Sequence, residues 1–165
     1  MSFGRALRHL FTTRWRTRQF FTQAVLGEIE AAIAEVEGRH SGEIRFVIET
    51  ALELDELWKK VPPRTRALEV FSHLGVWDTA ANNGVLIYVL FADRDVEILA
   101  DRGIAERVPQ QAWEEVCREI EAHYRAGRFA QGSVAGIRSV GRLLEQHFPG
   151  RGADANELPD RPVLL

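Results

Sequence analysis

Two aspartates and two asparagines flank the most apolar stretch of the chain, residues 84–92. Asp78, Asn82 and Asn83 precede this stretch, and Asp101 follows the next strand-like segment. Carboxylate and amide oxygens are the ligands that hard cations such as Ca²⁺ and Mg²⁺ take in proteins. Asp and Asn are also common in turns and helix caps, where their side chains bond local amides. These four residues are therefore candidate cation ligands if the fold brings them together.

The predicted strands place these groups at one end of a sheet. Residues 84–92 and 95–100 are separated by a turn at 93–94, so they must pair antiparallel. Residues 42–50 alternate apolar and polar positions and connect to 84–92 through a long helical segment, which predicts a parallel pair. The start of strand 42–50 then lies at the same end as the candidate ligands and adds Glu43 to them. The acidic turn after residue 92 is expected to be only a turn.

Helical periodicity accounts for most of the remaining chain. The predicted helices cover residues 19–38, 54–60, 63–74, 109–126 and 130–147. The run VLIYVL is apolar at every position, so its strand should be covered on both faces. The expected fold is α/β, a three-layer α/β/α sandwich with a small mixed sheet of three to four strands.

The length of 165 residues fits one domain, predicted over 22–148 between an N-terminal arm, 1–21, and an extended tail, 149–165. Cys117 is the only cysteine, which excludes an intramolecular disulfide and a thiolate metal cluster. No phosphate loop, nucleophile elbow or dinucleotide fingerprint occurs, and the five histidines lack metal-ligand spacing. No apolar run approaches the length of a membrane span, so a cytoplasmic chain is expected.

The arm is basic and aromatic, with five arginines and no acidic residue, whereas the remainder of the chain is net acidic. The residues of interest are Arg5, Arg8, Arg14, Trp15, Arg16 and Arg18. Such a segment could lie on an anionic membrane at the inner face or meet a protein partner. Alternatively, its aromatic residues dock on the domain's own surface. Nucleic-acid binding is not expected, because the acidic remainder would repel phosphates.

Two longer segments carry a family resemblance, NNGVLIYVLFADRDVEILADRGIAERVP and YRAGRFAQGSVAGIRSVGRLL. Together with their spacing, they resemble the TPM domain family over about residues 40–148. The resemblance implies an α/β/α fold and a divalent-cation site beside the sheet. It also implies acid phosphatase activity in some members and binding or assembly roles in others.

Some positions of this chain match the motif of the TPM domain family, and others differ from it. Asn83 matches the family's asparagine before glycine, and Gly103 matches the second glycine of a Gly-aromatic-Gly segment. Asn82 stands where members often have aspartate, and Asp101 and Arg102 replace the first glycine and the aromatic residue. Relatives often carry a secretion signal or a membrane anchor, and neither is expected in this chain. The chain is therefore expected to represent a short, soluble branch of the family, in which the basic arm replaces the anchor.

Two functions follow from this pattern. The first is an accessory or binding protein that holds Ca²⁺, Mg²⁺ or a partner at the Asp78 and Asp101 end of the sheet, at the membrane periphery. The second is a metal-assisted acid phosphatase at the same site, in which the cation polarises a phosphoryl oxygen and Arg102 steadies the phosphate. No residue is identified as a nucleophile, and the enzyme hypothesis depends on family analogy alone.

Overall fold

The computed structural model describes residues 3–150 and 156–165. Positions 1–2 of the predicted arm and 151–155 of the predicted tail lie outside this described part. The described residues form eight helices and four strands. The helices are α1 (Phe3–Phe11), α2 (Arg14–Phe20), α3 (Gln23–Glu37), α4 (Leu54–Trp58), α5 (Pro63–His73), α6 (Arg102–Ala105), α7 (Gln110–Arg125) and α8 (Phe129–His147). The strands are β1 (Glu43–Glu49), β2 (Gly84–Leu90), β3 (Asp95–Ala100) and β4 (Val163–Leu164).

The strands form one mixed sheet in the order β3-β2-β1-β4. β1 and β2 are parallel and in register from Glu43 opposite Gly84, and β2 and β3 form an antiparallel hairpin. Both pairings match the sequence prediction. The fourth strand comes from the C-terminal segment, where Val163 pairs parallel with Val47 of β1.

Helices cover both faces of the sheet, so the predicted three-layer α/β/α sandwich is confirmed. One apolar cluster joins α3, α7 and α8 to side chains such as Phe46 and Ile87, and the other joins α4 and α5 to side chains such as Leu86. Every residue of β2 is buried, as the apolar run predicted. Each such aliphatic side chain contributes about 1.5–3 kcal/mol on full burial.

The arm is helical in α1 and α2, whereas the sequence predicted a helix only from residue 19 onward. Thr13 and Thr22 cap α2 and α3, each accepting a hydrogen bond from a backbone N–H of the first turn. The buried Thr17 side chain donates to Thr50 at the end of β1 over 3.1 Å, and Phe21 is buried in the core. The C-terminal part of the arm is thus packed against the domain.

Candidate functional site

Three of the candidate ligands lie on neighbouring strands at one end of the sheet. Glu43 begins β1 opposite Gly84, and the Asp101 N–H donates to the carbonyl of Gly84 over 2.8 Å. Asn83 immediately precedes β2, and its carbonyl accepts the N–H of Glu43 over 3.0 Å. The strand register therefore positions Glu43, Asn83 and Asp101 in a row across the sheet.

Two of these residues carry a buried oxygen that has no hydrogen-bond partner among the described residues: Asn83 Oδ1 and Asp101 Oδ2. The other side-chain atoms of both residues are used locally. The Asn83 amide donates to the carbonyl of Ser41, and Asp101 Oδ1 accepts the N–H of Arg102 over 2.7 Å at the start of α6. A buried polar atom without a partner carries a desolvation penalty of about 1–3 kcal/mol.

The remaining candidates lie apart from this row. Asp78 is exposed in the turn after α5, and Arg102 is exposed on α6. Asn82 has a left-handed φ of 51°, and its carbonyl accepts the N–H of Gly103 over 3.0 Å. The Asn82 backbone thus supports the turn against α6.

A cavity of about 180 Å³ opens beside Asn83, and we call it the acidic cleft. Its lining includes Glu37 at the end of α3, Glu43, and both Glu157 and Asp160 of the C-terminal segment. Four carboxylates from three segments therefore face one space. Of these four, the sequence identified only Glu43. Glu37 is far from Glu157 and Asp160 in the sequence, so no local pattern relates them.

Backbone donors fix the carboxylates that form the walls of the acidic cleft. Glu37 accepts the N–H of Ile44 over 2.6 Å, and Glu43 accepts the N–H of Leu158 over 3.2 Å. Glu157 accepts the N–H of Ala80 over 3.1 Å, which ties the C-terminal segment to the loop before β2. Within the described part of the chain, no three His, Cys, Asp or Glu side chains are grouped so that they could hold a metal ion as they stand.

Burial and like charge make the acidic cleft hold a proton. Burial raises the pKa of Glu37 to about 8, and the carboxylates of Asp160 and Glu43 add to the effect although the Ile44 N–H opposes it. The pKa of Glu43 is raised as well, mainly by burial. Glu37 is therefore protonated at neutral pH, which relieves repulsion among the four carboxylates.

His40 also lines the acidic cleft and is 1% exposed. Its Nδ1 accepts the N–H of Gly42 over 3.2 Å, so the neutral ring carries its proton on Nε2, which has no partner among the described residues. Burial lowers the pKa of His40 to about 4, with Arg39 contributing, and the ring is neutral at physiological pH. The cleft thus gains no positive charge from this residue.

The opposite end of the sheet holds an unexpected charge cluster around Asp93. Arg5 Nε lies 2.8 Å and His9 Nε2 lies 3.1 Å from Asp93 Oδ2, while Arg8 reaches Oδ1 at 3.4 Å. His9 is 4% exposed and accepts the N–H of Leu52 at Nδ1 over 3.0 Å. Burial alone would raise the pKa of Asp93, but the contacts with His9 and Arg5 outweigh it and lower that pKa. The residue predicted to be only part of a turn therefore anchors α1.

This anchoring turns the polar face of α1 toward the protein and leaves apolar side chains in solvent. Leu10 is 59% exposed, Phe11 is 68% exposed and, on α2, Trp15 is 71% exposed. Arg14 and Arg18 of α2 are exposed as well. The arm thus presents an apolar and basic surface, which we call the arm surface. Among the described residues, no helix combines the length and apolarity needed to cross a bilayer.

Three known structures with the same fold come from bacterial proteins. The BA42 protein from the psychrophilic bacterium Bizionia argentinensis is 33% identical, with a TM-score of 0.76 over 87% of this chain and 94% of that one. The N-terminal domain of a P. gingivalis protein shares 18% identity and a TM-score of 0.64, over 81% of this chain and 82% of that one. The N-terminal domain of the Corynebacterium glutamicum protein cg2496 shares 16% identity and a TM-score of 0.56, over 81% and 78% of the two chains.

These last two likenesses show the fold alone. A search of curated proteins gave no match. The family model of the TPM domain, however, matches residues 16–143, which run from α2 into α8 and include the row of Glu43, Asn83 and Asp101. From this match and the 33% identity with BA42, the chain belongs to the TPM domain family.

Proposed function

We propose that this protein is an accessory, cation-binding protein that takes Ca²⁺ or Mg²⁺ in the acidic cleft and acts at the surface of a membrane. The observation that supports the cation is the cleft itself. Four carboxylates face about 180 Å³ of space beside Asn83, whose Oδ1 is buried and unpartnered among the described residues. Oxygen ligands of this kind suit hard cations.

The cation would take the place of the proton on Glu37. As described, the carboxylates are not grouped as a ligand set, so binding requires Glu43, Glu157 and Asp160 to turn inward from their present positions. The free energy for this movement would come from replacing repulsion among carboxylates by attraction to a divalent ion. Asp101, with its own unpartnered Oδ2, is the next candidate ligand along the strand row.

We expect Ca²⁺ or Mg²⁺ to stabilise the protein, by about 2.7 kcal/mol at a hundredfold excess over the dissociation constant. Glu43→Gln combined with Asp160→Asn should abolish the effect, whereas Glu28→Gln combined with Glu30→Gln, both exposed on α3, should retain it. Because the pKa of Glu37 is raised to about 8, a proton competes with the ion below that pH. Affinity should therefore rise by up to about tenfold per pH unit toward pH 8 and then level off.

Thermal unfolding and calorimetric titration across this pH range measure both effects. A wild-type protein whose midpoint does not change with either ion would remove the cation from the proposal. Loss of the shift in Asp101→Asn as well would extend the ligand set along the strand row. An equal shift in the Glu43 and Asp160 variant would place the ion outside the acidic cleft.

We favour binding over catalysis because the acidic cleft repels phosphate in the absence of a cation. The Cys117 thiol is no alternative nucleophile, since burial raises its pKa to about 12. Arg102, the predicted phosphate ligand, is exposed and does not line the cleft. Metal-dependent hydrolysis of p-nitrophenyl phosphate that disappears in Glu43→Gln would instead support the phosphatase hypothesis.

The membrane part of the proposal comes from the arm surface. In α1 the side chains of Arg5 and His9 point to Asp93, which leaves Leu10 and Phe11 in solvent together with Trp15. An apolar face flanked by arginines matches the boundary between anionic headgroups and acyl chains. We place this contact on the cytoplasmic leaflet, where anionic lipids attract basic segments.

Phe11→Ser combined with Trp15→Ser should reduce co-flotation with phosphatidylglycerol vesicles by at least about tenfold, because each buried aromatic side chain contributes more than about 1.4 kcal/mol. Leu68→Ser combined with Trp77→Ser, which removes exposed apolar side chains elsewhere, is the matched control. Flotation by the control but not by the arm variant supports the proposal. Equal flotation of both variants would show that the arm surface does not face the lipid.

A further inference from the structure

A cavity lined by basic residues lies at the end of the sheet opposite the acidic cleft. It has a volume of about 450 Å³ and lies where the arm meets the β2–β3 turn and the junction of α7 and α8. Its rim carries four arginines from four separate segments, Arg8, Arg16, Arg94 and Arg125. We call this cavity the arginine pocket.

The floor of the arginine pocket is aromatic. The ring centroids of Phe20 and Phe129 are 4.8 Å apart, and each lies within 5.7 Å of the Phe91 ring centroid. Phe91 and Phe129 are buried, but Phe20 is 38% exposed and offers part of its ring to the pocket. Aromatic side chains and four arginines thus line the same pocket.

The arginine pocket contains too little negative charge to neutralise its rim. Among its described lining residues, Asp93 is the one carboxylate, and the Arg5 guanidinium and the His9 ring already occupy it. Arg8 reaches Asp93 only at 3.4 Å, with its side chain 61% exposed. The four arginines of the rim therefore carry more positive charge than the single carboxylate of the lining can neutralise.

The other three guanidinium groups also keep donors available. Arg94 contacts the Arg125 carbonyl at 3.4 Å, and Arg125 contacts Glu121 at 3.4 Å, both at the long limit of a hydrogen bond. Arg16 makes no ion pair within the described part of the chain. Arg94 lies at a left-handed φ of 54°, a conformation that is unfavourable for a side chain of this size.

We infer that the arginine pocket binds a phosphate-bearing organic anion, with the phosphate held by the rim arginines and the organic part lying on Phe20. Guanidinium groups recognise phosphate through paired, charge-assisted hydrogen bonds, and four arginines that line one cavity supply more positive charge than a neutral ligand would need. The phosphate can belong to a lipid headgroup or to a soluble phosphate ester, since the chemistry is the same.

This site is independent of the acidic cleft. The β2–β3 turn follows the C-terminal end of β2, whereas the cleft lies at its N-terminal end, roughly 20 Å away along a strand of seven residues. The arginine pocket borders the arm surface, so a lipid phosphate could enter it while the arm lies on a membrane. Soluble-ester binding, in contrast, needs no membrane and would survive failure of the proposed function.

The test uses the full chain and two probes, glycerol 3-phosphate in solution and vesicles of phosphatidylglycerol compared with phosphatidylcholine. Arg16→Gln combined with Arg125→Gln should weaken binding of the relevant probe by at least about tenfold, because two charged hydrogen-bond donors are lost. Arg107→Gln combined with Arg118→Gln removes the same charge from exposed positions that do not line the arginine pocket and is the control. In an NMR titration with the probe that binds, the backbone amide resonances of Phe91 and Arg94 should change their chemical shifts.

Glycerol 3-phosphate binding that the Arg16 and Arg125 variant loses and the control keeps supports a soluble ester. Vesicle binding with the same pattern, without binding of glycerol 3-phosphate, supports a lipid headgroup. The inference is overturned if neither probe binds at millimolar phosphate. It is also overturned if both double variants lose binding equally, because that result indicates net charge rather than a built pocket.

Discussion

Replacing Arg66 with alanine is expected to lower the free energy of unfolding by about 3–5 kcal/mol, because it leaves a buried carboxylate without its cation. Arg66 of α5 contacts Glu49 of β1 through Nε and Nη2 at 2.9–3.2 Å, in the paired geometry that a guanidinium makes with a carboxylate. Glu49 is 6% exposed, so water cannot replace the lost partner.

The rest of the network makes Glu49 more dependent on Arg66. Tyr88 lies on the neighbouring strand β2, is fully buried and donates its hydroxyl to Glu49. Burial together with the negative charge of Glu49 raises the pKa of Tyr88. Arg66 also contacts Glu69 at 2.9 Å and Glu56 at 3.5 Å, which links α5 to α4 across the same face of the sheet. The hydrogen bonds with Glu49, above all, raise the pKa of Arg66.

Chemical denaturation of Arg66→Ala beside Arg64→Ala measures this effect. Arg64 lies on the same helix and pairs with Glu97 at 3.1 Å, but its side chain is 49% exposed, so its removal should change stability by at most about 1 kcal/mol. Combining Arg66→Met and Glu49→Leu with Tyr88→Phe should recover most of the lost stability, since apolar side chains can replace a buried ion pair and the Tyr88 hydroxyl would otherwise lose its acceptor. Equal small losses in both single variants would contradict the assignment.

Gly84→Ala is expected to lower the free energy of unfolding by about 3 kcal/mol, the upper range for overpacking a closed core. A Cβ atom at this position would lie 2.0 Å from the carbonyl oxygen of Val76, which is backbone and cannot turn aside. Gly84 begins β2 and is opposite Glu43, so the strand start itself would have to move. The required property is the absence of a side chain, which lets two backbones approach.

The matched control is Gly27→Ala, in the exposed face of α3. No atom lies within 4 Å of a Cβ built there, and alanine should raise stability by about 0.5–1 kcal/mol because it favours the helix. Thermal and denaturant unfolding of the two variants should therefore move in opposite directions. If Gly84→Ala unfolded like the wild type, the close approach to Val76 would not be a constraint. Gly84→Ala should also weaken cation binding, because Asn83, which lines the acidic cleft, directly precedes Gly84.

The sequence alone determined the central architecture. Periodic apolar residues predicted α3, α7 and α8, and the apolar run of β2 predicted a strand covered on both faces. These predictions succeed because a helix or strand that buries one side must carry apolar residues at the period of its own backbone. The segments NNGVLIYVLFADRDVEILADRGIAERVP and YRAGRFAQGSVAGIRSVGRLL also carried the resemblance that the TPM domain match confirms.

The sequence also predicted part of the strand row, because short connections and a crossover fix which strand ends meet. Residue type and topology together selected Glu43, Asp78, Asn82, Asn83 and Asp101. The strand ends bring Glu43, Asn83 and Asp101 into a row, whereas Asp78 and Asn82 lie in turns, where such residues serve backbone geometry. The assignment of any of these residues to a cation remains a prediction.

Only the tertiary structure decided what lies around both ends of the sheet. Asp93 meets Arg5 across 88 positions of sequence, and Glu43 meets Leu158 across 115. Contacts at such separations produce no local periodicity and require no motif. The sequence of one segment therefore does not predict which distant segment it will contact. The docking of the arm helices, the added strand β4, the acidic cleft and the arginine pocket all depend on contacts of this kind, because each forms where segments distant in the sequence pack side by side.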